Sequence, residues 1–191
     1  MIRRLLLAAC LLAPALAAAQ DAPILRVDLE AETAIPGQPI VLRVTALAPT
    51  WFPKPPVFPD FEVPNLLVRL PERASAPVSE RIEGATWSGV SRAYRLYPMV
   101  AGAFRLPPRE GIVSYADPET RAPVEARLAT SEIVFAGVIP EAATGLDPFI
   151  AARRLSLTQE IGGEPAALQP GGAVTRRVTA RIEGAAPMTL P

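Results

Sequence analysis

Carboxylates and arginines are the side chains of this sequence whose types and spacing offer chemistry. Asp28, Glu30 and Glu32 alternate along an extended stretch and would share one face of it, presenting hard oxygens of the kind calcium takes. No glycine-turned loop collects them, so they read as the solvated face of a strand. Glu110, Glu119 and Glu125 supply further carboxylates, but nothing in their spacing sets two of them at acid–base distance in a cleft. Arg153-Arg154 and Arg176-Arg177 would make an anion-binding patch if neighbouring strands aligned them. Successive residues of a strand point to opposite faces, so each pair offers one outward arginine.

What is missing prunes harder. The 191 residues contain no histidine, which excludes a Ser-His-Asp triad, a His-ligated zinc site and a histidine pH switch. There is no G-x-S-x-G elbow and no S-x-x-K motif around the serines. The expectation is a protein that is not an enzyme, has no catalytic residue, metal ligands or cofactor, and works by binding or scaffolding. Nineteen basic and nineteen acidic residues balance, which leaves no electrostatic footprint for nucleic acid. Lys54 is the single lysine, and the other basic residues are arginine.

Such residues need elements to hold them, and the sequence reads as short strands throughout. Residues 1–19 are set apart as a signal peptide: Arg3 and Arg4, an apolar run from Leu5 to Leu16, and Ala17-Ala18-Ala19 before Gln20. The run is too short and wrongly flanked for a membrane span. Leu7-Ala8-Ala9-Cys10 also fits a lipoprotein box, but only Leu5 to Ala9 would then separate the arginines from the cysteine, so ordinary secretory cleavage is preferred. Cys10 is the only cysteine, so the mature chain is held by core burial without a disulfide. The 23 prolines fall between alternating segments, as expected where strands end and turn, and argue against long helices.

Leu25, Val27 and Leu29 alternate with Arg26, Asp28 and Glu30, predicting a half-buried strand. Ile35-Pro36-Gly37-Gln38 has the signature of a type II turn. Ile40 to Leu47 follows, with Ile40, Leu42, Val44 and Ala46 inward and Arg43 and Thr45 outward. Further strands are expected at Leu66–Leu70, Arg81-Ile82, Ser91–Tyr97, Ala103–Leu106, Gly111–Tyr115 and Ser131–Phe135, with a turn or a hairpin end at Thr86–Gly89. The stretch from Pro49 to Pro64 holds six prolines and cannot be a central strand. Its aromatics, Trp51, Phe52, Phe58 and Phe61, either cover the core or form an exposed partner surface.

The Pro-Gly strand recurs. Pro36-Gly37, Arg43 and Val44-Thr45-Ala46 are matched 134 residues later by Pro170-Gly171, Arg177 and Val178-Thr179-Ala180, so six of eleven positions agree. A period this long means duplicated domains. The expected organisation is a signal peptide (1–19), an immunoglobulin-like all-β sandwich (20–138), a linker (139–150) and the start of a second β-domain, cut short (151–191). Phe149 to Ala152 are read as a short helical turn. The apolar face of the strand at Val174–Ile182 is expected to be poorly buried.

The run from Gly89 to Pro108, GVSRAYRLYPMVAGAFRLPP, resembles the signature of the BatD family of oxygen-tolerance (aerotolerance) proteins: an aromatic strand, a proline, an Ala-Gly turn, an aromatic and Pro-Pro. Leu146–Ala151 with Leu155–Gln159 is similar to that family's interdomain stretch, and Pro170–Pro191 to the opening of its second domain. The resemblance implies a non-enzymatic periplasmic protein of tandem β-domains, anchored at the inner membrane in its full-length form. It also implies protein partners in the envelope: membrane proteins with von Willebrand factor A-domains, and a MoxR-type ATPase encoded alongside. No small-molecule substrate or nucleic acid is implied, and no site residue is carried over. An adhesin-like or carbohydrate-binding module is the alternative, and it requires Trp51, Phe52, Phe58 and Phe61 to lie flat and solvent-facing.

Overall fold

The structure is a computed structural model and describes residues 22–147 and 149–190. The expected signal peptide with Cys10, and Pro148, lie outside the described residues. The chain forms strands β1 (Ile24–Leu29), β2 (Thr33–Ala34), β3 (Ile40–Ala48), β4 (Leu66–Arg69), β5 (Ser75–Ile82), β6 (Ala85–Pro98) and β7 (Gly102–Leu106). These are followed by β8 (Glu110–Ala116), β9 (Pro123–Ala129), β10 (Ile133–Gly137), β11 (Arg154–Gly162) and β12 (Thr175–Glu183). Among the described residues no helix is long and apolar enough to cross a membrane.

One sheet runs β1-β3-β6, with β4 and β5 sharing the far edge of the long β6. The other is built on β2-β10-β7, β2 pairing in parallel with β10. The two sheets form an all-β sandwich whose strand order corresponds to the A-B-E-D and F-G strands of the immunoglobulin fold. β7 to β10 are in effect one bent hairpin. The register from Gly102↔Gly137 to Leu106↔Ile133 continues unchanged from Glu110↔Ala129 to Ala116↔Pro123. Pro107 and Pro108 interrupt the ladder because neither has an N–H to donate. Arg109 and Thr130 mend it: the Thr130 N–H donates to the Arg109 carbonyl at 2.8 Å, and the Arg109 N–H to the Thr130 hydroxyl at 3.0 Å.

The core lies between the sheets. Leu42 and Val44 on β3, Tyr94 and Leu96 on β6, Phe104 and Leu106 on β7, and Ile133 and Phe135 on β10 are all buried in one cluster, with Leu25, Val27 and Leu29 packed against it. Each such side chain contributes roughly 1.5–3 kcal/mol by leaving water. Phe104 and Phe135 stack at 5.1 Å. The expected alternation of β1 and β3 is what builds this layer. The run from Gly89 to Pro108 is most of β6, its turn and β7, the crossover that supplies both sheets with core residues.

The outer face of the β1-β3-β6-β5 sheet departs from expectation at Thr45. It faces outward but is 4% exposed. Its hydroxyl bonds that of Ser91 on β6 at 3.1 Å. Arg26 on β1 reaches Glu80 on β5 at 2.9 Å, across β3 and β6, on the face that carries Thr45, Ser91 and Gly89. Of the two readings of Thr86–Gly89, the turn is corrected, because those residues lie inside β6, at its hairpin end. The turn is Glu83-Gly84, joining β5 to β6 with φ of 50° and 86°, the type I′ geometry of a two-residue hairpin.

The repeat is visible in the backbone. Gly37 and Gly171 have φ of 84° and 85°. Their turns close with matching bonds, Gln38 N–H to the Ile35 carbonyl at 2.9 Å and Gly172 N–H to the Gln169 carbonyl at 2.8 Å. β11 and β12 then pair antiparallel, as β1 and β3 do. The apolar face of this second hairpin carries Leu155, Leu157, Ile161 and Val178, all exposed. The other face carries Arg154 opposite Glu183, Thr158 opposite Thr179 and Glu160 opposite Arg177. After β12 the chain returns to the sandwich, where the Ala186 N–H donates to the Gly37 carbonyl at 3.0 Å. Phe149 to Ala152 are not helical, and the short helical turn lies earlier, at Glu141–Ala143.

Candidate partner-binding surface

The proline-rich segment takes the place where a further strand of the second sheet would pair. Six prolines leave it few N–H groups, and it touches β8 through one bridge, Val57↔Ile112, with bonds of 2.8 and 2.9 Å. Side chains and one further backbone bond do the remaining work of fixing it. The Tyr94 hydroxyl donates to the Pro59 carbonyl at 2.8 Å. The Asp60 carboxylate accepts the Phe61 N–H at 2.7 Å. The Thr50 hydroxyl donates to the Ala116 carbonyl, and the Ala116 N–H returns a bond to the Trp51 carbonyl at 3.1 Å.

These anchors sort the four aromatics. Phe61 is 1% exposed and meets the Tyr94 ring edge-on, with centroids 5.1 Å apart. It is therefore a core residue and is withdrawn from the candidate surface. Burial raises the pKa of Tyr94 above the ordinary tyrosine value, against the opposing pull of the nearby Arg92 charge. Phe58 is half-buried against the core, and the Arg92 guanidinium lies over its ring at 4.6 Å. Ser75 holds that guanidinium in turn, accepting from Arg92 Nε at 2.9 Å. Phe52 is half-buried. Trp51 alone is well exposed, at 48%.

The Arg121 guanidinium sits 5.4 Å from the Trp51 ring centre. It is delivered there by the β8–β9 turn. The Asp117 carboxylate accepts the N–H groups of Glu119 and Thr120 at 3.0 and 2.7 Å, and the Thr120 hydroxyl at 2.9 Å. Those donors favour the ionised form, so Asp117 is held below the usual carboxylate range, Thr120 contributing most. The Asp117 carbonyl accepts the Arg121 N–H at 3.0 Å, and Arg121 itself adopts a left-handed φ of 62°. Lys54 and Glu125 pair across the same end of the sandwich at 3.4 Å. The surface is thus a tryptophan with a stacked arginine, flanked by an exposed ion pair and by Pro53 and Pro55. Arg121 lies seventy residues from Trp51 in sequence and has no local signal linking the two. The Asp-x-x-Thr pattern at 117–120 was the readable hint of a fixed turn.

The remaining sequence candidates stay apart. Glu30 accepts the Val41 N–H at 3.0 Å. Glu110 faces Arg127 at 3.7 Å, while Glu119 lies in the β8–β9 turn. Arg176 bonds Gln159 at 2.8 Å on one face of the second hairpin, and Arg177 meets Glu160 at 3.9 Å on the other. Among the described residues no group of His, Cys, Asp or Glu is placed to hold a metal ion. No family model, curated protein or solved structure matches the chain.

Proposed function

We propose that this chain is a non-enzymatic envelope component resembling the BatD proteins, resident in the periplasm, that acts by protein–protein contact. Its partners on this reading are membrane proteins with von Willebrand factor A-domains, and its role lies in oxygen or stress tolerance. The observation that carries the contact reading is the solvent-facing Trp51 with the Arg121 guanidinium over its ring. Tryptophan and arginine are the residues most enriched at the energetic centres of interfaces. The carbohydrate-binding alternative called for a flat row of four rings. Phe61 is buried, and guanidinium groups occupy faces of Trp51 and Phe58, so protein contact is preferred.

The test is affinity capture from envelope membranes of the source cell with the wild-type chain and with Trp51→Ala. Recovery of an A-domain protein by the wild type, and its loss with Trp51→Ala, is the expected result. Capture of no envelope protein by a folded wild-type chain would refute the reading.

A further inference from the structure

The outer face of the first sheet carries a second surface, of which the sequence suggested only Arg153. Arg69 on β4 stands directly opposite Arg95 on β6 in the antiparallel ladder. On the next strand, Val41 of β3 is the partner of Arg95, and Arg43 follows two residues along, on the same face. Arg153, just before β11, joins them: with Arg95, Val41, Tyr97 and Glu30 it lines an open cleft of about 530 Å³ between the sheet and the base of the second hairpin. All four arginines are exposed. Among the described residues none of the four forms an ion pair or a side-chain hydrogen bond, whereas Arg26, Arg105, Arg127 and Arg177 all have carboxylate partners. Asp28 on the edge strand β1 stands directly opposite Arg43 in the ladder without closing to ion-pair distance, and the Glu30 carboxylate already accepts the Val41 N–H.

Like charges directly opposite in a ladder are destabilising. On an exposed face almost any residue would avoid that cost, in a protein whose overall charge is zero. We propose that Arg43, Arg69, Arg95 and Arg153 form an anion-recognising face that docks an extended acidic segment of a partner protein. The inference rests on the reading of the chain as a protein-contact component, and names the chemistry of one contact. Charge complementarity gives the sign. Geometry favours a peptide: opposed residues lie roughly 5 Å apart and alternate residues of an extended chain about 6.6 Å, so carboxylates at alternate positions match arginines spread across the strands. Planar guanidinium groups grip such carboxylates with two parallel bonds. A membrane surface would call for apolar side chains to enter the lipid, but Tyr97 is buried and Val41 and Leu67, between the arginines, are half-buried.

The experiment measures fluorescence anisotropy of a labelled octapeptide of alternating glutamate and serine, with its glutamine counterpart as control, against the full chain. The wild type should bind the glutamate peptide alone, more weakly as salt rises. The double variant Arg69→Gln/Arg95→Gln should bind at least about tenfold more weakly, since two charge-assisted pairs are lost. Arg105→Gln, on the other sheet, should bind as the wild type does. The double variant should melt no lower than the wild type, because an opposed pair has been relieved. If it melts lower, the single variant Arg43→Gln carries the binding comparison. Equal binding by wild type and variant, no binding by the wild type, or binding to phosphatidylglycerol vesicles without binding to the peptide would each overturn the proposal. An envelope partner still captured by the double variant would also overturn it while leaving the broader reading intact. Peptide binding by a chain that captures no envelope protein would sink the broader reading and spare the arginine face.

Discussion

Tyr94→Phe asks how a segment with six prolines is held inside a β-sandwich. The substitution keeps the ring, and with it the edge-to-face contact with Phe61 at 5.1 Å. It deletes only the hydroxyl that donates to the buried Pro59 carbonyl at 2.8 Å. A typical hydrogen bond is worth about 1 kcal/mol net, but a buried acceptor left without a donor raises the cost to about 1–3 kcal/mol. Taking about 2 kcal/mol, and about 2–4 °C per kcal/mol for a chain of this size, the melting temperature should fall by about 4–8 °C. Urea denaturation of wild type and variant reads this directly, with an unchanged slope showing that the surface exposed on unfolding is the same. Alkaline titration supplies a second readout. The folded pKa of Tyr94 is raised, so the native state favours the neutral phenol. That preference is fully present below the unfolded value of about 10 and is lost as pH rises through the folded pKa. Tyr94→Phe should therefore flatten the loss of stability that sets in above about pH 10. A variant with the wild-type urea midpoint would refute the clamp.

Two other perturbations test the outer face and the hairpin tip. Gly89→Ala should destabilise by about 1–3 kcal/mol through overpacking, since a Cβ there would stand 2.6 Å from Leu47 Cδ2 and Val78 Cγ2 and 3.0 Å from the Ala46 carbonyl oxygen. A chemical denaturation midpoint at or above wild type would count against that packing. Asp117 has a lowered folded pKa, so its ordering of the β8–β9 turn is present above the ordinary carboxylate value of about 3.9 and is lost as pH falls through the folded value. Acid should thus free Arg121 from Trp51 and raise quenching of Trp51 by acrylamide, while Trp87, which is buried, stays protected. Asp117→Asn should remove the pH dependence, and quenching that titrates identically in both proteins would exclude Asp117 as the cause.

Alternation made the first strands legible because one face of each meets the core. Leu25, Val27 and Leu29 on β1 and Leu42 and Val44 on β3 report their burial in the sequence itself. β2 has two residues and exists through its parallel pairing with β10, about a hundred residues away, so it has no period to read. β9 starts at a proline, which marks it as an edge; it alternates Val124, Ala126 and Leu128 with Glu125 and Arg127, but Val124 is exposed and Ala126 and Leu128 are only half-buried, so little core stands behind the pattern. Gly89 misled for a different reason. Glycine marks turns when the backbone needs a positive φ, but here it sits mid-strand because Leu47 and Val78 leave no room for a side chain.

The functional surfaces were less legible because they are made of pairs distant in sequence. Trp51 could be singled out from composition, but the guanidinium on its ring comes from Arg121 and depends on a turn that Asp117 organises. Phe61 looked equivalent to Trp51 and proved to be core, because Tyr94 draws that end of the segment inward. Arg43, Arg69 and Arg95 alternate with apolar neighbours as any solvated strand face does, and only the registers of β3 and β4 on β6 bring them together. Sheet register decides this outcome sharply: sliding β4 by one residue along β6 would turn Arg69 toward the core and bring Val68 out in its place. The inward packing of Leu66 and Val68 therefore fixes the arginine face, although neither residue is part of it.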